Sequence, residues 1–177
     1  DVSCPWCVIG LYALEQALAR LEPDIAVTMR MQPFELNPQM PPEGQDTTEH
    51  LRAKYGASDA QMAQTREAIR QRGAELGFRF EMDKRARVYN TFDAHRLLHW
   101  AEGAQQIALK KALFDAYFTE GRNPGSREVL LEKAAAVGLD RARAEEVLAS
   151  DEFAGAVRER EAHYQNAGIH AVPAVII

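Results

Sequence analysis

The stretch Ser3-Cys4-Pro5-Trp6-Cys7-Val8 holds both cysteines of the 177-residue chain. Pro5 suits the first position of a helix, where its missing N–H costs nothing and its fixed φ is already helical, which makes Cys4 the N-cap. Cysteines three apart in a first helical turn share one face. Their Cα atoms fall inside the ~4.4–6.8 Å that a disulfide tolerates, so the pair opens and closes without moving the backbone. An N-cap sulfur faces free N–H groups and the positive end of the helix dipole, and both favour thiolate over thiol. In such settings the thiol pKa drops from ~8.5 to ~3.5–7.5. Cys4 is therefore the expected nucleophile. Cys7, one turn in and expected to be less open to solvent, is the sulfur that resolves a mixed disulfide.

Two other readings compete. A cysteine is most often a small buried hydrophobe. A C-x-x-C is also half of a zinc site, and His95 and His99, four apart on one predicted helix face, have the spacing to complete it. Against zinc stand the long separation of His95 from Cys7 in the chain and a length that needs no metal staple. The helix-opening C-P-x-C points to dithiol chemistry, and no metal is expected.

Outward from this motif, composition narrows the class. Two cysteines exclude a disulfide-stapled secreted scaffold, and 19.8 kDa suffices for one domain, or one carrying an insertion, with a real core. The longest apolar run is the seven-residue tail 171–177, too short to span a bilayer. With 21 Lys plus Arg against 26 Asp plus Glu, the net charge of -5 has the wrong sign for holding nucleic acid or an anionic membrane, and neither is expected as a partner. Ala occurs 29 times against 17 for Val plus Ile, which favours helix over sheet.

Periodicity then orders the elements. Leu11, Leu14, Leu18 and Leu21 make a helical stripe to about Arg20, broken by Pro23-Asp24. Residues 25–31 alternate and meet Pro33, the pattern of a strand, and four prolines make 33–44 a loop. Asp46 with Glu49, and Ser58 with Gln61, have capping-box spacing and open helices near 47–55 and 59–76. Asn90 or Thr91 caps a helix to about Gly103, and the next runs to Thr119. Ser126 caps another that ends before Gly138, Asp140 and Asp151 begin two more, and Gly168 ends the last. Arginines in 66–87 alternate with acids as on a solvated helix face. Ala174-Val175-Ile176-Ile177 reads as a buried strand.

Taken together, Asp1-Val2-Ser3-Cys4-Pro5-Trp6-Cys7-Val8-Ile9-Gly10, Asn90-Thr91-Phe92-Asp93-Ala94-His95-Arg96-Leu97, Gly121-Arg122-Asn123 and Gly168-Ile169-His170-Ala171-Val172-Pro173-Ala174 resemble the DsbA-like branch of the thioredoxin superfamily, and within it the FrnE-like dithiol oxidoreductases. The resemblance implies an α/β, thioredoxin-like fold with a large all-helical insertion: 1–45 and 153–177 as the two parts of the thioredoxin fold and 46–152 as the insertion. It implies a cis-proline turn at Val172-Pro173 facing Cys4, with Val172 in the substrate groove, and His95 lining that groove, although His95 also reads as a core-edge histidine. Asn90 is most simply a helix cap and Arg96 a solvated or ion-paired residue. Pro5 and Trp6 are expected against substrate, Trp6 also shielding the disulfide, while Trp100 is expected in the core. Such a fold needs a strand before the cysteine helix and a hairpin with a helix after the proline. Only three residues precede Cys4 and four follow Pro173, so the chain is expected to be an excerpt of a longer protein. Relatives with periplasmic roles often carry His where Trp6 stands, and a neutral aromatic is expected to acidify Cys4 less.

The function expected is thiol-disulfide exchange on protein or peptide thiols and disulfides, with a redox-active disulfide, no metal or organic cofactor, and glutathione as a co-substrate left open. The alternative is a glutathione-dependent isomerase or a kappa-class-like glutathione transferase, relatives that usually place Ser at the position of Cys4. A non-enzymatic zinc or redox-sensing module is the third class. Acidic composition, no visible signal segment and the FrnE-like resemblance favour the cytoplasm, and a homodimer is left open.

Overall fold

The computed structural model describes residues 1–21 and 26–177. The cysteine helix α1 (Pro5–Ala19) starts at Pro5 as expected, with Cys4 as an extended N-cap at φ -96°, ψ 113°. A two-residue strand β1 (Gln45–Asp46) leads into α2 (Thr47–Tyr55), whose first N–H groups, those of Thr48 and Glu49, donate to the Asp46 carboxylate. Helix α3 (Asp59–Glu75) opens with a full reciprocal box between Ser58 and Gln61. After a turn of 3-10 helix at Met82–Lys84, β2 (Arg87–Val88) returns antiparallel to β1, with Gln45 opposite Val88 and Asp46 opposite Arg87. Gly44 permits that approach: at φ 71° it lies where a Cβ would be 2.3 Å from the Val88 carbonyl oxygen.

The second half is helical throughout: α4 (Phe92–Trp100), α5 (Gly103–Phe114) running on into a π-helical turn at Asp115–Thr119, α6 (Arg127–Ala136), α7 (Arg141–Ala149) and α8 (Ala154–Asn166). Ser126 and Asp140 cap α6 and α7 as expected. Helix α4 stops at Trp100, short of Gly103, and α8 starts at Ala154, later than Asp151, because Phe153 turns left-handed at φ 62°.

Two buried clusters share α5 as a wall. Leu109 and Leu113 face one, with residues of α4, α6 and α7 and also Val2. Phe114, Tyr117 and Phe118 face the other, with Val8, Ile9 and Leu11 of α1, Ile69 of α3, Phe78 and Phe80. The cysteine segment is thus anchored on both sides, by Val2 in one cluster and by Val8 in the next.

The strands differ from expectation. Pro23-Asp24 and Ile25 lie outside the described residues, and residues 26–31 join no ladder. An alternating segment becomes a strand only beside a hydrogen-bonding neighbour, and here a side chain takes that place: the Met31 N–H donates to Gln106 Oε1 at 2.8 Å and Gln106 Nε2 donates to the Met31 carbonyl at 3.4 Å. The tail is likewise unpaired, and Val175 and Ile176 are exposed rather than buried. Among the described residues no helix is long and apolar enough to cross a membrane.

Arg96 also departs from the solvated reading. It is buried, pairs with Asp93 at 2.9 Å, and donates to the carbonyls of Val147, Ser150 and Glu152, so that the end of α7 is satisfied by one guanidinium. Arg96→Met keeps the length and removes every donor. The expected result is a loss of about 3 kcal/mol of unfolding free energy in urea titration, since each buried unsatisfied group costs ~1–3 kcal/mol. An unchanged midpoint would contradict the assigned role of the guanidinium.

Candidate active site

A helix start leaves N–H groups without partners. At α1 a sulfur shares in this, because the Cys7 N–H donates to Cys4 Sγ at 3.3 Å as well as to the Cys4 carbonyl at 3.1 Å. Across from it, the Cys4 thiol faces the Val172 carbonyl oxygen at 3.9 Å, in a turn whose Val172-Pro173 peptide is cis. Gly10 lets this turn approach the helix: a Cβ there would sit 3.1 Å from Pro173 Cβ. The structure therefore brings Cys4, Pro5, Trp6, Val172 and Pro173 together, although Val172 lies 168 positions beyond Cys4. Trp6 is 43% exposed and, with Cys4, Pro5 and Val172, lines a cleft of about 310 Å³.

The exposure of the two sulfurs is the reverse of the expected order. Cys4 is 4% exposed and Cys7 half-buried. The N-cap position does not open Cys4 to bulk solvent, because the Val172 turn lies over it. What distinguishes it is direction, since Cys4 lines the cleft and Cys7 does not.

The two thiols are unbonded and titrate as a pair. Their side-chain contact draws the Cys7 thiol down to about 6 and, with burial, holds the Cys4 thiol above the ordinary range. The two ionisations belong to the pair rather than to either sulfur alone. The Cys7 amide stabilises an anion on Cys4, as it points at that sulfur and not at its own. The Asp1 ammonium, 3.8 Å from Cys7 Sγ, and then Lys110 of α5 add positive charge that favours the thiolate, while burial pushes the Lys110 ammonium pKa down.

His95 does not reach the cleft. It is 2% exposed, and its Nε2, 3.8 Å from Asp1 Oδ1, has no hydrogen-bond partner among the described residues. Burial holds the imidazole well below its usual pKa, so it is neutral. It belongs to the support behind the cysteine loop and not to a substrate surface, because α4 packs this face inward. Asp1 ties that support together, accepting the Ser3 N–H at 3.0 Å and the Leu36 N–H at 2.7 Å. Asn90 acts as a cap, accepting the Phe92 N–H at 2.9 Å. Trp100 packs against the α4–α7 cluster as expected. His99 stacks on Phe153, and among the described residues no group of three or more His, Cys, Asp or Glu is placed to hold a metal.

Three residues at or near the site go beyond the expectations. Lys110 falls on the apolar stripe of α5 between Leu109 and Leu113, and a lysine on such a stripe is the signal that points to it. Arg66 and Arg85 line the cleft beside Met62, Ile69 and Met82, although the alternation of charges over 66–87 predicts a solvated helix face. That face ends with α3 at Glu75, after which Phe78 and Phe80 turn inward.

Comparison with known proteins agrees with this geometry. The family model described as DSBA-like thioredoxin domain matches residues 1–177. The uncharacterized protein YwbO of Bacillus subtilis (strain 168) is 29% identical over 179 residues, covering 100% of this chain and 83% of that protein. The crystal structure of a probable DsbA oxidoreductase from Streptomyces coelicolor superposes with a TM-score of 0.89 at 33% identity, covering 98% of this chain and 75% of that one.

The lowered thiol pKa has a measurable consequence. Alkylation of the reduced protein by iodoacetamide is expected to accelerate as pH rises, because the thiolate is the nucleophile, and to be half-maximal near the lowered value of about 6. A half-maximal rate near the ordinary ~8.5 would mean that the helix start does not ionise the pair.

Proposed function

The chain belongs to the DSBA-like thioredoxin domain family, with the thioredoxin-like fold and helical insertion expected of it, and from that premise we propose that it exchanges disulfides with protein and peptide substrates through Cys4, with Cys7 as the resolving sulfur. At the family level it is an enzyme of the thiol-disulfide oxidoreductase kind. One observation supports the division of roles: of the two sulfurs, Cys4 faces the cleft, beside Trp6 and Val172.

In the reduced protein the Cys4 thiolate attacks one sulfur of a substrate disulfide, and the other sulfur leaves as a thiolate. Cys7 then attacks Cys4 Sγ, closing the internal disulfide and releasing the first substrate sulfur. Two electrons pass from the protein dithiol to the substrate disulfide. The reverse sequence oxidises a substrate dithiol. If a second thiol of the same substrate resolves the mixed disulfide instead, the outcome is isomerisation with no net electron transfer. None of these steps needs a metal or organic cofactor.

The lowered pKa matters most when the internal disulfide is opened. At pH 7 a thiol drawn from ~8.5 to about 6 gains about 30-fold in thiolate. Its intrinsic nucleophilicity falls by about tenfold over the same shift, leaving a net gain of only a few-fold in attack. As a leaving group the same sulfur departs faster with no offset. Because the lowered thiol is Cys7, which leaves when a substrate thiolate opens the disulfide at Cys4, the arrangement favours that opening step.

The test is turnover of a self-quenched peptide disulfide. Cys4→Ser is expected to fall to the buffer background. Cys7→Ser is expected to make the first attack and then accumulate a mixed disulfide, visible as added mass on the intact protein. Cys4→Ser with turnover intact would sink the proposal. Cys7→Ser with full turnover that depends on added glutathione would transfer the assignment to the glutathione-dependent isomerase class.

A further inference from the structure

The cleft beside Cys4 has a charge pattern that disulfide exchange alone does not require. Its floor is apolar, with Leu51 from α2, Met62 and Ile69 from α3, and Met82, and among the described residues no aspartate or glutamate lines it. Two arginines do. Elsewhere on these helices arginines are matched with carboxylates: Arg52 with Asp59, Arg70 with Glu67, and Arg72 with Glu75. Arg66, one turn before Arg70 on α3, has no carboxylate or hydrogen-bond partner among the described residues, since Glu67 is taken by Arg70 and Gln71.

Arg85 is held from behind and left open in front. Its Nε donates to the Tyr117 hydroxyl at 2.8 Å, and that hydroxyl donates onward to the Arg87 carbonyl at 2.8 Å. The guanidinium lies 5.1 Å from the Tyr117 ring centre and 5.5 Å from that of Phe118. Its terminal nitrogens make no hydrogen bond among the described residues. This is a pre-set guanidinium, whose planar fork suits a carboxylate. His50, also on the cleft, has its imidazole held below its usual pKa by burial and then by Lys54 and Arg85.

A second depression, between α2 and α3, shares Met62 and Arg66 with the cleft and is lined also by Asp59, whose carboxylate is taken by Arg52. The two form one track that runs from the Cys4 sulfur over Met62 to Arg66. At about 310 Å³ the cleft lies at the low end of ligand pockets, ~300–1,000 Å³, which fits a short extended segment and not a folded surface.

We propose that this track selects substrates in which the reacting cysteine is flanked by an apolar residue followed by an acidic one, the apolar side chain on Met62 and Ile69 and the carboxylate held by Arg66 and Arg85. This rests on the disulfide-exchange reading of Cys4 and names the substrate class for that site. The sign is informative, because the whole chain carries -5 and on net charge alone would favour basic peptides. With a screening length of ~8 Å at physiological salt, the two local arginines dominate over that distant charge.

The test uses three short peptides, each with one cysteine in mixed disulfide with uncharged 4-thiopyridine, followed by leucine and then by glutamate, glutamine or lysine. Release of the chromophore gives kcat/KM. The wild type is expected to favour glutamate over lysine by about tenfold or more, the scale of one hydrogen bond to a charged group. Arg66→Glu is expected to invert the order and Arg66→Lys to retain its sign. Raising salt to about 0.5 M, which cuts the screening length to roughly half, is expected to shrink the preference. Equal kcat/KM for the three peptides in the wild type, or an unchanged glutamate-to-lysine ratio in Arg66→Glu, would overturn the proposal. Release that persists in Cys4→Ser would instead count against the disulfide-exchange reading on which it rests.

Discussion

The amide of Cys7 donates both to the Cys4 carbonyl, at 3.1 Å, and to the Cys4 sulfur, at 3.3 Å, so the start of α1 points an N–H at the reactive sulfur. Pro5 leaves one fewer N–H to satisfy and fixes the first turn. This contact puts the helix terminus and the reactive sulfur in one place. It holds only if α1 itself cannot rotate. Val8, Ile9 and Leu11 lock the helix against Phe78, Phe80, Phe114 and Phe118, while Val2 anchors the preceding turn in the other cluster. The Asp1 carboxylate then joins Ser3 to Leu36, and the Val172 turn lies over the sulfur because Gly10 leaves room for Pro173.

The features legible in the sequence are local ones. Pro5 places the N-cap, Ser58 with Gln61 places a capping box, and Ser126 and Asp140 place two more helix starts, because each signal and its effect lie within one turn. The cysteine pair is legible for the same reason. The features that escape a sequence reading are settled by partners far along the chain. Residues 26–31 alternate like a strand, yet whether a ladder forms depends on what lies alongside, and Gln106 from α5 lies there. His95 has the same sequence signature whether it faces a groove or a core, and only the packing of α4 shows which. Arg66 and Arg85 look like any surface arginines until the missing carboxylates around them are visible.

The π-helical turn at Asp115–Thr119 has a particular part in this. A one-residue widening of a helix shifts the register of the residues beyond it, a device often found beside functional sites. Here Tyr117 and Phe118 of the widened turn are both buried, and they join Phe114 at the end of α5 in one cluster. Tyr117 then reaches both Arg85 and the Arg87 carbonyl, which fixes the segment that closes one side of the cleft.

Reactivity and selectivity therefore depend on different parts of the molecule. Ionisation of the cysteine pair depends on the contact of the two thiols at the start of α1, on the Asp1 ammonium and on Lys110 of α5, all wrapped in packed side chains. The charge of the cleft depends on Arg66 of α3 and on the segment before β2, with Arg85 held by Tyr117 rather than by any group near the sulfurs. A substitution at Arg66 alters what is attracted to the cleft without touching the hydrogen bond that ionises the pair. A substitution at Lys110 does the reverse. Such separation lets one dithiol centre keep its chemistry while the helical segments around it set which disulfides it meets, and the net charge of -5 sharpens the contrast, since the cleft opposes the sign of the chain as a whole.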